Sequence, residues 1–151
     1  MTNLELKAKT GENFTAAHLG DLNALHGAIV EHPAIQGGFP GKLFLREILG
    51  LTGMEVSLNV LSPGGRVPFF HKHKTREELY VFIKGAGQFQ VDDEVIEIGE
   101  GTVIRVATDG ERTWRNNSEE DLYYIVIQAP EGGFEGGSIE DGEGVKRAVR
   151  W

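Results

Sequence analysis

His71 and His73 stand two positions apart in a segment flanked by strand-like runs. On an extended backbone, alternate residues project from one face. They lie roughly 6–7 Å apart at the backbone, a gap that two imidazoles can close onto one ion. Glu78, separated from His73 by four residues, opens the next strand-like run and offers a hard oxygen ligand. Two histidines and one carboxylate form a facial set that leaves coordination positions open. Such a set suits Fe(II) and also admits Mn(II), Ni(II), Cu(II) or Zn(II). Glu77 offers the same chemistry one position earlier. The whole stretch His-Lys-His-Lys-Thr-Arg-Glu-Glu is also polar enough to be a solvated turn, so the residue pattern alone leaves both readings open.

Few other residues compete for a chemical role. The chain of 151 residues has no cysteine, which excludes disulfides, thiol nucleophiles and thiolate metal sites. The remaining histidines that could approach a site, His18, His26 and His32, are scattered through the first forty residues, where a histidine is more often a surface residue than a ligand. No phosphate-binding loop, dinucleotide fingerprint, nucleophile elbow or catalytic triad pattern is present. The formal net charge of −8 repels phosphate backbones and anionic lipid, so neither nucleic acid nor a membrane surface is an expected partner. The first residues carry no apolar signal core and no run reaches the length of a membrane span, so the expected location is the cytoplasm.

The elements that must position the histidines read as strands. Gly64-Gly65, Gly85-Ala86-Gly87, Asp92-Asp93, Gly99-Glu100-Gly101 and Asn116-Asn117 punctuate short runs rich in Val, Ile, Phe and Tyr, which is the pattern of an all-β sandwich or barrel. Met54 to Leu61 alternates apolar and polar residues with period two, predicting one face on a core and one somewhere wetter. Leu79 to Ile83 and Leu122 to Ile127 are apolar on both parities, predicting strands covered on both sides. Phe89 with Val91, Val95, and Val103 to Val106 supply further strands, and Lys42 to Leu49 reads the same way. Residues 1–40, with Leu19, Leu22, Leu25 and Ile29 near helical spacing but broken by Gly20 and Gly27, form an N-terminal arm of mixed structure. Residues 131–151 form a short tail, glycine-rich and acidic to Gly144, with Val145, Val149 and Trp151 expected to dock back on the body.

The order Gly65, five residues, His71, one residue, His73, four residues, Glu78, six residues, Gly85 resembles the first motif of the cupin superfamily position for position. The resemblance spans residues 41–130. It implies a double-stranded β-helix, or jelly-roll, barrel in a single domain. It also selects Glu78 over Glu77 as the ligand candidate, since only Glu78 leaves six residues before Gly85. The second motif of that family is matched at its two ends by Gly101 and Asn116. Between them Ala107 replaces a proline, Asp109 a glycine, and Arg112 the histidine that would supply a further ligand. A guanidinium stays protonated and cannot coordinate a cation.

Two readings of Arg112 follow: its fork binds a carboxylate or phosphate of a ligand at the mouth, or it neutralises a nearby acidic residue or repels a metal and marks a site that has lost it. Trp114 shares its parity, and Tyr80 and Phe82 share that of Glu78, so regular strands would put them along a pocket. Gln88 and Gln90 could face either side. The expected function is binding of a small, anionic molecule at the His/His/Glu site, as a mononuclear-metal oxygenase or isomerase. The rival is a metal-free binding or epimerase-like barrel, with or without turnover. A homodimer is expected from the resemblance and from Leu43, Phe44, Leu45, Ile48, Leu49 and Leu51, which are too apolar for an open edge.

Overall fold

Runs of period two become strands and the glycine-rich punctuation becomes turns in the computed structural model, which describes residues 4–151. In chain order the strands are β1 (Lys7–Thr10), β2 (Thr15–His18), β3 (Ile29–His32), β4 (Ile35–Pro40), β5 (Lys42–Phe44), β6 (Glu55–Leu61), β7 (Arg76–Lys84), β8 (Ala86–Val91), β9 (Glu94–Gly99), β10 (Val103–Val106), β11 (Arg112–Arg115) and β12 (Leu122–Pro130). A five-stranded antiparallel sheet in the order β10-β7-β12-β6-β5 faces a three-stranded sheet in the order β11-β8-β9. This is the layout of a double-stranded β-helix, with the arm contributing the hairpins β1–β2 and β3–β4.

The main core fills the space between the sheets with Tyr80, Phe82, Phe89, Trp114, Leu122 and Tyr124. Phe89 stacks on Trp114 with ring centres 5.7 Å apart, and Tyr80 meets Trp114 edge-on at 5.2 Å, geometries that aromatic quadrupoles favour. A second cluster lies on the outer side of the large sheet, where Leu25 and Ala28 of the arm cover Leu43, Val60 and Tyr123.

Register fixes which residues face inward. Across the large sheet Phe44, Ser57, Val126 and Tyr80 stand side by side in one row, and Lys42, Asn59, Tyr124 and Phe82 in the next. The polar parity of β6 is therefore the inner one: Ser57 and Asn59 are buried inside the barrel, while the apolar parity Val56, Leu58 and Val60 looks outward.

Several expectations are corrected. The run from Lys42 to Leu49 is not one strand. It ends at Phe44, and Arg46–Leu49 forms a single helical turn closed by Gly50 at φ 70°. Its apolar residues are covered within the chain: Leu43 is fully buried, Leu45 and Ile48 pack on the second cluster, and Phe44 faces the cavity. β7 is not covered on both sides, because Leu79 and Ile83 are exposed on its outer face. Helical spacing in the arm yields only a 3-10 turn over Leu22–Gly27, capped by Asp21. Val145, Val149 and Trp151 do not dock back and are largely exposed, and residues 131–151 make no helix or strand.

Candidate metal centre

β7 aims Glu78 into the barrel because odd and even positions of a strand point to opposite faces. Glu77 goes the other way and pairs with Arg105 at 2.6 Å on the outside. The segment before β7 runs antiparallel to β11. His71 exchanges both backbone hydrogen bonds with Arg112, and Val67 donates to the Trp114 carbonyl. That pairing extends the chain at His71, so His71 and His73 present their rings to the same side as Glu78, with ring centres 5.5 Å apart.

The three side chains converge. Nε2 of His73 lies 3.0 Å from Oε1 of Glu78, Nε2 of His71 lies 3.9 Å from Oε2, and one donor atom from each residue falls within 4.8 Å of the other two. Neighbouring ligands around one ion, with bonds of about 2.0–2.2 Å, sit roughly 3 Å apart. The set therefore fits a small divalent ion with little movement. The protonation states suit it as well. Burial pushes the His71 imidazole down to about 4, against the pull of Glu78, leaving a neutral ring with a free lone pair. Burial alone would raise the Glu78 carboxyl, but hydrogen bonds from His73 and Tyr80 and the charge of Arg112 hold it down to about 2.

Arg112 is not where a ligand-binding arginine would be. It is completely buried and does not line the cavity. Its Nη2 lies 3.2 Å from Glu78 Oε2, off line for a hydrogen bond, and its Nη1 donates to the Gly110 carbonyl at 2.7 Å. The expectation that its fork meets a substrate at the mouth gives way to an ion pair behind the carboxylate. Tyr80 donates to the same Oε2 at 2.5 Å. One carboxylate oxygen is thus held from behind by Tyr80 and Arg112, and the other is presented to His73.

The centre sits in the wall of a cavity of about 350 Å³. Tyr80 and Trp114 line it, as their parity predicts, although the indole N–H is already donated to the Tyr124 hydroxyl at 3.0 Å. Phe82 lies in the core, and Gln88 and Gln90 are turned outward, where Gln88 bonds Glu97 and Arg115. Of the arm histidines, His32 reaches the cavity and stacks on Phe69 at 5.2 Å but falls outside the three-residue cluster. His26 pairs instead with Asp121.

The residue that sequence reasoning missed is Lys42. It lines the cavity, donates to Ser57 Oγ at 3.1 Å and Asn59 Oδ1 at 3.0 Å, and lies 5.0 Å over the Phe44 ring. Burial lowers its ammonium to about 8, with Glu78 and Glu55 pulling the other way. The signal was present in β6, whose polar parity needed buried partners.

Comparison with known proteins agrees with this geometry. The cupin domain family matches residues 57–128, which include the whole first motif and Arg112. A cupin protein from Bacteroides fragilis is similar at 35% identity over 78% of this chain and 97% of that one, with a TM-score of 0.66. At the level of fold alone, a protein with a double-stranded β-helix domain from Klebsiella pneumoniae matches at 12% identity over 79% and 95% of the two chains, TM-score 0.58. A cupin 2 conserved barrel domain protein from Salinispora arenicola matches at 14% identity over 69% and 91%, TM-score 0.52. No curated protein sequence matches the chain.

Proposed function

Because the chain belongs to the cupin family, we propose that it is a mononuclear-metal protein acting on a small anionic molecule, with His71, His73 and Glu78 holding a divalent transition ion in an oxygenase- or isomerase-type reaction. The observation that carries this reading is the convergence of three donor atoms within 4.8 Å in the cavity wall. The ion, when bound, supplies a Lewis acid that polarises an oxygen of the substrate. Tyr80 and Arg112 fix one oxygen of Glu78, so the carboxylate is oriented before anything binds. Phe69 and Trp114 line the space beside it with apolar surface.

Protein purified without chelator is expected to carry stoichiometric Fe, Mn, Ni, Cu or Zn by elemental analysis, and His73→Ala to lose it. Added ion at a hundredfold excess over its Kd would stabilise chelator-treated protein by about 2.7 kcal/mol, read as a rise in Tm. Absence of metal together with an unmoved Tm would sink this reading.

One observation favours the metal-free alternative, a binding or epimerase-like barrel. His73 already hydrogen-bonds Glu78, and Arg112 already balances its charge, so the carboxylate is satisfied by protein groups. That reading expects no metal in wild type or His71→Ala, with ligand affinity lost in the variant.

We also propose a homodimer, resting on a different surface from the one the sequence suggests. Among the described residues the arm covers the outer face of the large sheet from β5 across β6 to Tyr123 of β12. On the other side Val103, Val81 and Ile125 stand in register beside Leu79 and Ile83, and Leu79, Ile83 and Val103 are exposed. A second copy packed there would cover them.

A further inference from the structure

A cavity lined mainly by aromatic and aliphatic side chains contains one group that such surroundings do not accommodate. Phe39, Phe44, Phe69, Val67, Val126 and Trp114 supply most of the wall, and among the described lining residues Lys42 is the only lysine or arginine. Its partners are neutral: the Ser57 hydroxyl and the Asn59 carboxamide oxygen take two of its three N–H groups, and no carboxylate lies within ion-pair distance of it among the described residues. Asn59 is itself locked, donating to the Ser57 and Tyr124 carbonyls. The ammonium is thereby held in place with no counter-ion in contact, Glu78 and Glu55 acting on it only from a distance. Removing a charge from water without a counter-ion is costly, so the site gains when an anion arrives.

We propose that Lys42 recognises the carboxylate of the ligand, and that the ligand is a small monocarboxylic acid with an apolar body. The inference rests on the proposed function only in placing the ligand in this cavity, and it does not depend on the ion. A single ammonium, with no arginine among the described lining residues and with Glu31 also on the wall, matches one negative charge and disfavours a phosphate dianion. A volume of about 350 Å³ lies near the lower end of the roughly 300–1,000 Å³ of ligand sites. Lys42 on β5 and Glu78 on β7 are three strand spacings apart, roughly 14 Å across the sheet, and are offset by four positions along it because Lys42 stands level with Phe82; both lean inward. A carboxylate on Lys42 therefore places the apolar body over Ser57 and Val126, with its far end toward His71, His73 and Glu78. The role that the sequence offered to Arg112 falls to Lys42, because Arg112 is committed to Glu78.

The test uses two matched pairs of probes, phenylacetate with phenylacetamide and hexanoate with hexanamide. Each is titrated calorimetrically into chelator-treated and into Zn(II)-loaded full-length protein. Wild type is expected to bind at least one carboxylate tenfold or more tighter than its amide in the metal-free state. Lys42→Met should erase that preference and Lys42→Arg should keep part of it. Lys42→Gln, which keeps a hydrogen-bonding group beside Ser57 and Asn59 without the charge, gives the same readout if methionine disturbs folding. Absence of preference in both pairs, or a preference that persists in Lys42→Met and Lys42→Gln, overturns the proposal. A preference confined to the Zn(II)-loaded state and unchanged by both variants assigns the carboxylate to the ion and overturns it too. Because the decisive comparison is made without metal, failure to find an ion in the protein leaves it standing.

Discussion

Glu78 is buried, charged and shared among His73, Tyr80 and Arg112, so its substitution tests the centre most directly. Glu78→Gln leaves the Arg112 guanidinium buried without a counter-charge and should cost roughly 3–5 kcal/mol in urea unfolding. The double variant Glu78→Gln/Arg112→Met should recover much of that loss, because two opposed buried charges are removed together. The pH dependence has a defined sign. In the unfolded chain Glu78 takes up its proton near the ordinary 4.5, whereas in the native protein it does so only near 2. Its stabilising contribution is therefore complete above about pH 4.5 and is lost as the pH falls toward 2, by up to roughly 3 kcal/mol. Glu78→Gln should flatten the acid limb of a Tm-against-pH curve in that window, and an unchanged limb would show that His73, Tyr80 and Arg112 do not hold the carboxyl low in the native protein.

At the scale of elements, turns set the positions of the donors. Gly85 closes the turn from β7 to β8 at φ 95°, and a Cβ built there would lie 2.4 Å from the Asp121 carbonyl oxygen. Gly101 has a similar φ of 82° but open space around it. Gly85→Ala should therefore cost roughly 2–5 kcal/mol, combining left-handed strain with overpacking against backbone, and Gly101→Ala only about 1–2 kcal/mol. Denaturant midpoints of the two variants would separate these contributions. Such turns were legible in the sequence because glycine at a fixed interval signals a backbone demand, and the spacing from Gly65 to Gly85 located the ligand set as well. The parity of β6 was legible as alternation but not as direction: a strand records which residues differ in environment, not which side is the interior. Ser57 and Asn59 face inward because Lys42 and the cavity lie there, and that depends on β5 pairing with β6, a contact between residues 13 to 17 positions apart. The choice between the two readings of Arg112 was not legible for the same reason, since whether a guanidinium meets a ligand or a carboxylate behind it is decided by β11 lying against the segment of His71.

For the whole molecule, the large sheet has one outer face with two fates. Leu25 and Ala28 of the arm seal the side of Leu43 and Val60, and the side of Leu79, Ile83 and Val103 is uncovered in a single copy. Light scattering at micromolar concentration is expected to give twice the chain mass, and Ile83→Lys/Val103→Lys to reduce it to that of one chain without lowering metal content. A monomeric wild type would remove the proposed interface. The cavity is likewise divided in origin. His71, His73, Glu78 and Lys42 belong to the barrel and the segment leading into it, while Val30, Glu31, His32 and Phe39 are brought to its rim by the β3–β4 hairpin of the arm. The donor set and the rim are thereby written on separate stretches of chain: exchanging the hairpin would reshape the entrance to the cavity while His71, His73, Glu78 and Lys42 keep their register, a modular route by which one barrel changes what it admits.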